Sequence, residues 1–217
     1  MPSPSLTVSL LPPEEAELYQ AIRYETFRPT INKILYASEP SQATHEYIAS
    51  STRNDIVNKG ILYLKCVENS TRQIIAGARW RYLGLLNPDG TPAPRSEEQL
   101  EKDLEVPEPY TESNPALYRQ IFSLFNHNKK EIMGTRPHYV LDTLVTHPDH
   151  HRKGAGGLLV KWGCDKADEL GVEAYVEASP MGQPLYARHG FVPVKECGID
   201  LRDYGGDEEL RFIVSIS

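Results

Sequence analysis

The 217-residue chain is poor in cysteine: it has three, Cys66, Cys164 and Cys197, an odd number with no CxxC pair. That spacing excludes a disulfide framework and the usual cysteine-based metal sites, and it reads as small buried hydrophobes with reduced thiols in an intracellular protein. The chain also lacks any apolar run near the ~18 residues of a membrane span. Its opening, "MPSPSLTVSLLPPEE", has no basic stretch followed by an apolar run of signal length. A cytoplasmic or nuclear protein without a membrane partner is therefore expected. Basic residues are in deficit, with a formal net charge of -7, and this argues against nucleic acid as the main partner, since phosphate binding draws on a basic surface.

Several motifs are missing as well. GxxxxGK[ST] does not occur, which disfavours nucleotide hydrolysis, and GxGxxG would need a glycine where Leu159 stands. His138, His147, His150 and His151 contain no HExxH spacing, so no metal is expected. There is no internal repeat and no low-complexity tract. One large domain over residues 1–217 accounts for the length.

What is present is an alternation of strand and helix patterns. "SLTVSLL" predicts a strand, and Pro12, Pro13, Glu14 and Glu15 open a helix in which Ala16, Tyr19, Ile22, Arg23 and Phe27 recur at helical spacing. A second helix is expected over residues 45–57, and "GILYLKCVEN" and "QIIAGARWRYL" read as a hairpin. Residues 84–137 read as an insertion. Its first part is proline-rich and acidic, a long loop rather than sheet, and its second part is a helix with Leu117, Ile121, Leu124 and Phe125 in a stripe. "HYVLDTLVT", "VEAYVEAS", "FVPVKECGIDL" and "RFIVSIS" predict strands, and "PMGQPLYARHGF" a short helix closed by Gly190. The order is β-α-α-β-β-insert-β-α-β-α-β-β. It predicts an α/β (α+β) fold with a mixed, mostly antiparallel central sheet flanked by helices.

The chemistry concentrates in "LVTHPDHHRKGAGGLLVKWG", residues 144–163. A strand ends, a proline follows, and Gly154, Gly156 and Gly157 stand where a helix begins, although each glycine there costs ~1 kcal/mol relative to alanine. A helix start offers free N–H groups and the positive end of the dipole, which suit a phosphate, and glycines permit close approach. This spelling resembles the signature of the GNAT acetyltransferase superfamily, in a small, fungal-type form. In that signature a strand, a proline and [QR]xxGx[GA] at a helix start bind the pyrophosphate of acetyl-CoA. Here the segment reads Leu144, Thr146, Pro148, then His151, Arg152, Lys153, Gly154, Ala155 and Gly156. His151 replaces the family's Gln or Arg, and Arg152 sits one place late. Downstream, "LYARHGF" resembles the family's Tyr-xxx-Gly-Phe element, Tyr186 to Phe191.

The resemblance implies an N-acetyltransferase that moves an acetyl group from acetyl-CoA to a primary amine of a small molecule or protein by direct attack in a ternary complex. A catalytically silent acyl-CoA-binding module is the alternative. Backbone groups of Leu144, Val145 and Thr146 would hold pantetheine and the acetyl carbonyl. The pyrophosphate would lie on the N–H groups of His151, Arg152, Lys153, Gly154, Ala155, Gly156 and Gly157, with charge added by Arg152 and Lys153. Ser179, just after the next strand, joins the cofactor site. Tyr186 would supply a proton to the departing thiolate. Either Asp142, on the same strand face as Leu144 and Thr146 by the two-residue period, or Glu177 would act as base. The acceptor amine is left open. The insertion is expected to select it, to shield the core as a lid, or to meet a second subunit in a homodimer.

Overall fold

A computed structural model describes residues 5–217. Seven strands form a mixed, mostly antiparallel sheet flanked by helices, in the order β1 (Leu6–Leu10), β2 (Leu62–Glu68), β3 (Gln73–Leu83), β6 (His138–Thr146), β7 (Glu173–Ala178), β9 (Glu209–Ile216) and β8 (Val192–Asp200), and β4 (Leu85–Leu86) and β5 (Pro92–Ala93) form a separate two-stranded ribbon. The chain divides into two compact units, one made of the residues up to Arg81 with Leu141–Gly163, the other of Tyr82–Val140 with Cys164–Ser217.

The first unit holds β1 (Leu6–Leu10), α1 (Ala16–Phe27), α2 (Ile31–Leu35), α3 (Gln42–Asn58), β2 (Leu62–Glu68), most of β3 (Gln73–Leu83), the end of β6 (His138–Thr146) and the start of α6 (Ala155–Leu170). Pro13 opens a 3-10 turn ahead of α1, where its missing N–H costs nothing. Ser41 caps α3 by accepting from the Thr44 N–H at 3.3 Å. The strands pair antiparallel, Val8 opposite Cys66 and Leu64 opposite Ala78, with a register shift at Cys66/Val67. Leu11, Tyr19, Ile22, Tyr63 and Val145 form the apolar core of this unit. Trp80 is fully buried and donates from Nε1 to the Leu159 carbonyl at 3.3 Å. Gly163 lies against the same indole: a Cβ there would stand 2.1 Å from the ring. Helix α6 has a glycine at that turn because the tryptophan fills the space.

The second unit holds β4 (Leu85–Leu86), β5 (Pro92–Ala93), α4 (Glu97–Asp103), α5 (Pro115–Ile132), the start of β6, the end of α6, β7 (Glu173–Ala178), α7 (Gln183–Ala187), β8 (Val192–Asp200) and β9 (Glu209–Ile216). The last strand is inserted between β7 and β8, with Glu177 opposite Val214 and Val214 opposite Lys195. Leu83, Met133, Val140, Tyr175 and Val214 form the core of this unit. Helix α5 starts with Pro115 and is capped by Asn114, whose Oδ1 accepts from the Leu117 N–H at 3.1 Å. Its stripe buries Leu117 and Ile121, and Phe125 meets Phe212 edge-on at 4.8 Å.

Two stretches differ from the sequence reading. The proline-rich part of 84–137 is structured: an Asn-Pro-Asp-Gly turn with Gly90 at φ 83° joins β4 to β5, and Ser96 and Gln99 form a capping box that starts α4. Pro88 sits within the turn and Pro92 opens β5, where they are compatible with these local hydrogen bonds, and the capping box lies clear of proline. The short helix α2 is also additional to the expected elements.

Candidate active site

In the first unit, β6 ends in a loop that returns on itself before α6. The His147 N–H donates to the Ile75 carbonyl at 2.9 Å, and a 3-10 turn spans Pro148–His150. Arg152 then takes φ 62° and Gly154 φ 94°, both left-handed. A Cβ on Gly154 would meet no atom within 4 Å, so glycine stands there for its dihedral and not for lack of room. The first helical bond runs from the Leu158 N–H to the Gly154 carbonyl at 3.3 Å. The N–H groups of Ala155, Gly156 and Gly157 therefore have no acceptor in a preceding turn and project, with the helix dipole, toward the loop. Positive-φ residues followed by such a turn make an anion cradle of backbone donors.

Two of the residues expected here have partners within the protein. Lys153 Nζ lies 2.8 Å from Glu68 Oε1 and 3.0 Å from His150 Nδ1. The hydrogen bond from Lys153, with a second from Thr71, holds the Glu68 carboxyl below its ordinary range, so the pair is ionised and neutral overall. Arg152, by contrast, is exposed. Thr146 does not offer its carbonyl, which accepts from Thr26 Oγ1 at 3.1 Å and lies 3.0 Å from His151 Nε2. The His151 ring thus ties the loop back to the strand end. Val145 is buried in the core, while Leu144 is half-buried.

Asp142 joins Arg79 and Arg81 of the first unit in a network. Arg81 donates from Nε to Asp142 Oδ2 at 2.6 Å and from Nη2 to Oδ1 at 2.8 Å, and Arg79 Nη1 adds a bond to Oδ2 at 2.9 Å. Arg79 also reaches Asp55 at 3.3 Å and lies over the Tyr63 ring. Burial opposes the charge of Arg79, but Asp142, Tyr63 and Asp55 more than offset this and raise its pKa.

Glu177, Ser179 and Tyr186 lie in the second unit. Glu177 Oε1 accepts from Tyr175 at 2.9 Å and from Asn128 Nδ2 at 3.1 Å. Ser179 is exposed, and its Oγ accepts from the Gly182 N–H at 3.3 Å, shaping the turn into α7. Tyr186 is buried, and burial pushes its hydroxyl pKa up, so the phenol keeps its proton at neutral pH. Gly190, at φ 87°, turns the chain so that the Phe191 N–H donates to the Tyr186 carbonyl at 3.2 Å and the two rings meet edge-on at 5.8 Å. The Tyr-xxx-Gly-Phe spelling is thus a local fold that fixes Tyr186.

Sequence reasoning missed Arg79, Arg81, Asn128 and Tyr175. Arg79 and Arg81 alternate with buried Ala78 and Trp80 on β3, a period-two signal that two charged residues share one face of an interior strand. Asn128 continues the stripe of Leu117, Ile121, Leu124 and Phe125 at helical spacing, so a polar residue at a core position was legible. Among the described residues no group of three or more His, Cys, Asp or Glu could hold a metal ion, and no helix is long and apolar enough to cross a membrane.

Residues 116–191 match the Acetyltransferase (GNAT) family, a segment that opens at the second residue of α5 and ends on Phe191. Among solved structures, arylalkylamine N-acetyltransferase 2 from Aedes aegypti is 15% identical with a TM-score of 0.65, the likeness covering 98% of each chain. A Drosophila melanogaster polyamine N-acetyltransferase, which forms N-acetylagmatine, is 12% identical with a TM-score of 0.63 over 98% of this chain and 99% of that one. A proposed acetyltransferase from Salmonella typhimurium with its cofactor acetyl-CoA is 13% identical with a TM-score of 0.57, covering 98% of this chain and 92% of that one. Such identities establish the fold, and the matched segment contains β6, the glycine-rich loop, β7 and the Tyr186 element. Residues 116–191 are thus similar to the GNAT acetyltransferase family, and the chain as a whole shares the fold of these solved acetyltransferases.

Proposed function

We propose that the protein transfers the acetyl group of acetyl-CoA to a primary amine by direct attack in a ternary complex. The observation that carries this reading is the backbone cradle after β6: Arg152 and Gly154 at positive φ, then the unpartnered first-turn N–H groups of Ala155, Gly156 and Gly157. Those groups and exposed Arg152 would hold the pyrophosphate, and backbone of Leu144 and Val145 the pantetheine arm. Acetyl-CoA supplies a thioester carbonyl activated toward amines.

In this reading the residues divide the proton work. Glu177 takes the proton of the amine as its nitrogen bonds to the carbonyl carbon, and Tyr186 gives its proton to the sulfur as the C–S bond breaks. Charge and atoms balance, with free CoA thiol and an N-acetyl amine as products. Asp142 is given a structural part, because three arginine hydrogen bonds already claim its oxygens. Ser179 keeps the turn that leads to Tyr186. The acceptor is assigned to a small amine, selected by residues 84–137.

Thiol release from acetyl-CoA measured against tryptamine, agmatine, spermidine, amino acids and peptides tests the reading. Release that depends on one class of amine is expected. A protein that binds acetyl-CoA and releases thiol with none of them is the silent binding module instead. Acetyl-CoA that fails to raise Tm removes the donor-site assignment itself.

A further inference from the structure

The geometry points to Asn128 and Tyr175 as positioning residues that aim Glu177 and hold it ionised, an inference that rests on the reading of Glu177 as the base. All the groups involved lie in the second unit. Asn128, fully buried on α5, places its Nδ2 3.1 Å from Glu177 Oε1 and 3.2 Å from Cys197 Sγ. Both amide hydrogens are thus spent on acceptors, and this fixes which end of the amide is nitrogen. The consequence is a buried Asn128 Oδ1 with no hydrogen-bond partner.

Packing does not explain that arrangement. Asn128 continues a stripe of Leu117, Ile121 and Leu124, where a leucine of nearly the same size would leave no polar atom to satisfy. An amide retained at such a place costs stability, and what it supplies in return is a donor aimed at a carboxylate. Tyr175, equally buried, aims a second donor at the same oxygen from 2.9 Å. Both donors are neutral. Hydrogen bonds to the charged form favour ionisation, and two on one oxygen also fix the torsion of the carboxylate.

Three further groups lie near this pair of donors. Burial pushes the Cys197 thiol up, so it is a neutral acceptor for the second amide hydrogen. Lys195 on β8 is paired with Glu131 on α5 at 2.6 Å. His138 on β6, whose ring centre lies 6.3 Å from that of Tyr175, is pushed down to about 4 by burial and is neutral near pH 7.

Asn128→Leu and Tyr175→Phe test the inference. Three readouts are needed: stability to urea, the titration of the Glu177 carboxyl carbon by NMR assigned from its loss in Glu177→Gln, and the pH profile of thiol release with tryptamine or agmatine. In both variants the Glu177 midpoint is expected to rise by about one pH unit and the acid limb of kcat to move with it. Below the acid limb kcat falls about ten-fold, and the KM for acetyl-CoA stays within about two-fold. Asn128→Leu is at least as stable as the parent. Loss of rate in proportion to loss of stability, with midpoint and limb unmoved, overturns the inference. Should Asn128→Leu not fold, Tyr175→Phe decides alone. The NMR titration needs no turnover, so an unmoved midpoint overturns it even if neither amine is acetylated. If Glu177→Gln keeps the parent rate, the assignment of the base fails and the positioning role with it. If Glu177→Gln is inactive while both variants keep the parent limb, only the positioning role fails.

Discussion

Arg81 and Asp142 meet as a two-point pair, Nε to Oδ2 at 2.6 Å and Nη2 to Oδ1 at 2.8 Å, with Arg79 bound to the same carboxylate from 2.9 Å. Their side chains are 18% and 13% exposed, so the pair is largely withdrawn from water. Removing one partner of such a pair leaves the other charge uncompensated. Asp142→Asn should lower unfolding stability by on the order of 3 kcal/mol. Rate per folded molecule should change far less than in Glu177→Gln. Urea unfolding alongside thiol release checks this. A normally stable Asp142→Asn protein without activity would make Asp142 the base.

The two glycines of the loop and helix should respond to alanine for opposite reasons. Gly154 has open space but φ 94°, so Gly154→Ala carries a backbone cost of about 1–2 kcal/mol and tilts the N–H groups of the cradle. Weaker acetyl-CoA binding by calorimetry in a folded protein is expected. Gly163 has ordinary freedom but no space, because the Trp80 ring lies where its Cβ would stand. Gly163→Ala should therefore cost more stability than Gly154→Ala, seen as the larger drop in Tm.

Tyr186→Phe removes a proton donor and keeps the ring that meets Phe191. Acetyl-CoA affinity is expected to hold while kcat falls about 100-fold. Because burial raises the pKa of this phenol, its loss of the proton does not shape the profile near neutral pH. An unchanged rate, measured where chemistry limits turnover, would reduce Tyr186 to packing.

Acid should destabilise the fold through His138. The buried imidazole is pushed down to about 4, against an ordinary 6.5, so the unfolded chain binds a proton between those values and the folded one does not. Stability therefore rises with pH across that window and falls as pH drops from 6.5 toward 4, by on the order of 3 kcal/mol in full. Urea unfolding at several pH values should show this slope, and His138→Gln should flatten it.

Replacing residues 87–109 with a short Gly-Ser linker tests whether the insertion selects the acceptor. The exchange removes Leu100, which is buried, and Arg95, whose guanidinium binds Asp103 and the Gly134 carbonyl. Some loss of Tm is expected for that reason alone. Acetyl-CoA binding should survive while the ranking of amines changes. An unaltered ranking and rate would assign the segment to shielding.

The sequence by itself determined the parts governed by neighbours along the chain. His138–Thr146 was legible as a strand because a nine-residue β-prone run needs no distant information, and the glycine-rich start of α6 because only a left-handed turn or a close approach explains glycine there. The Tyr186 element was legible too, since Gly190 and Phe191 close it within six residues. What the tertiary structure decided are relations between residues far apart in sequence. No local pattern sets β9 between β7 and β8, because strand order depends on which apolar faces must be covered together. Nor could spacing tell Asp142 from Glu177, since both are carboxylates on strands. Their difference comes from residues about 50–60 positions away: arginines of β3 in one case, an α5 amide in the other. The same holds for Lys153, a free cation in the sequence and a neutral pair once the β2 end brings Glu68 to it. Charge depends on the partner that folding supplies, and an electrostatic role is therefore fixed only when the chain has closed.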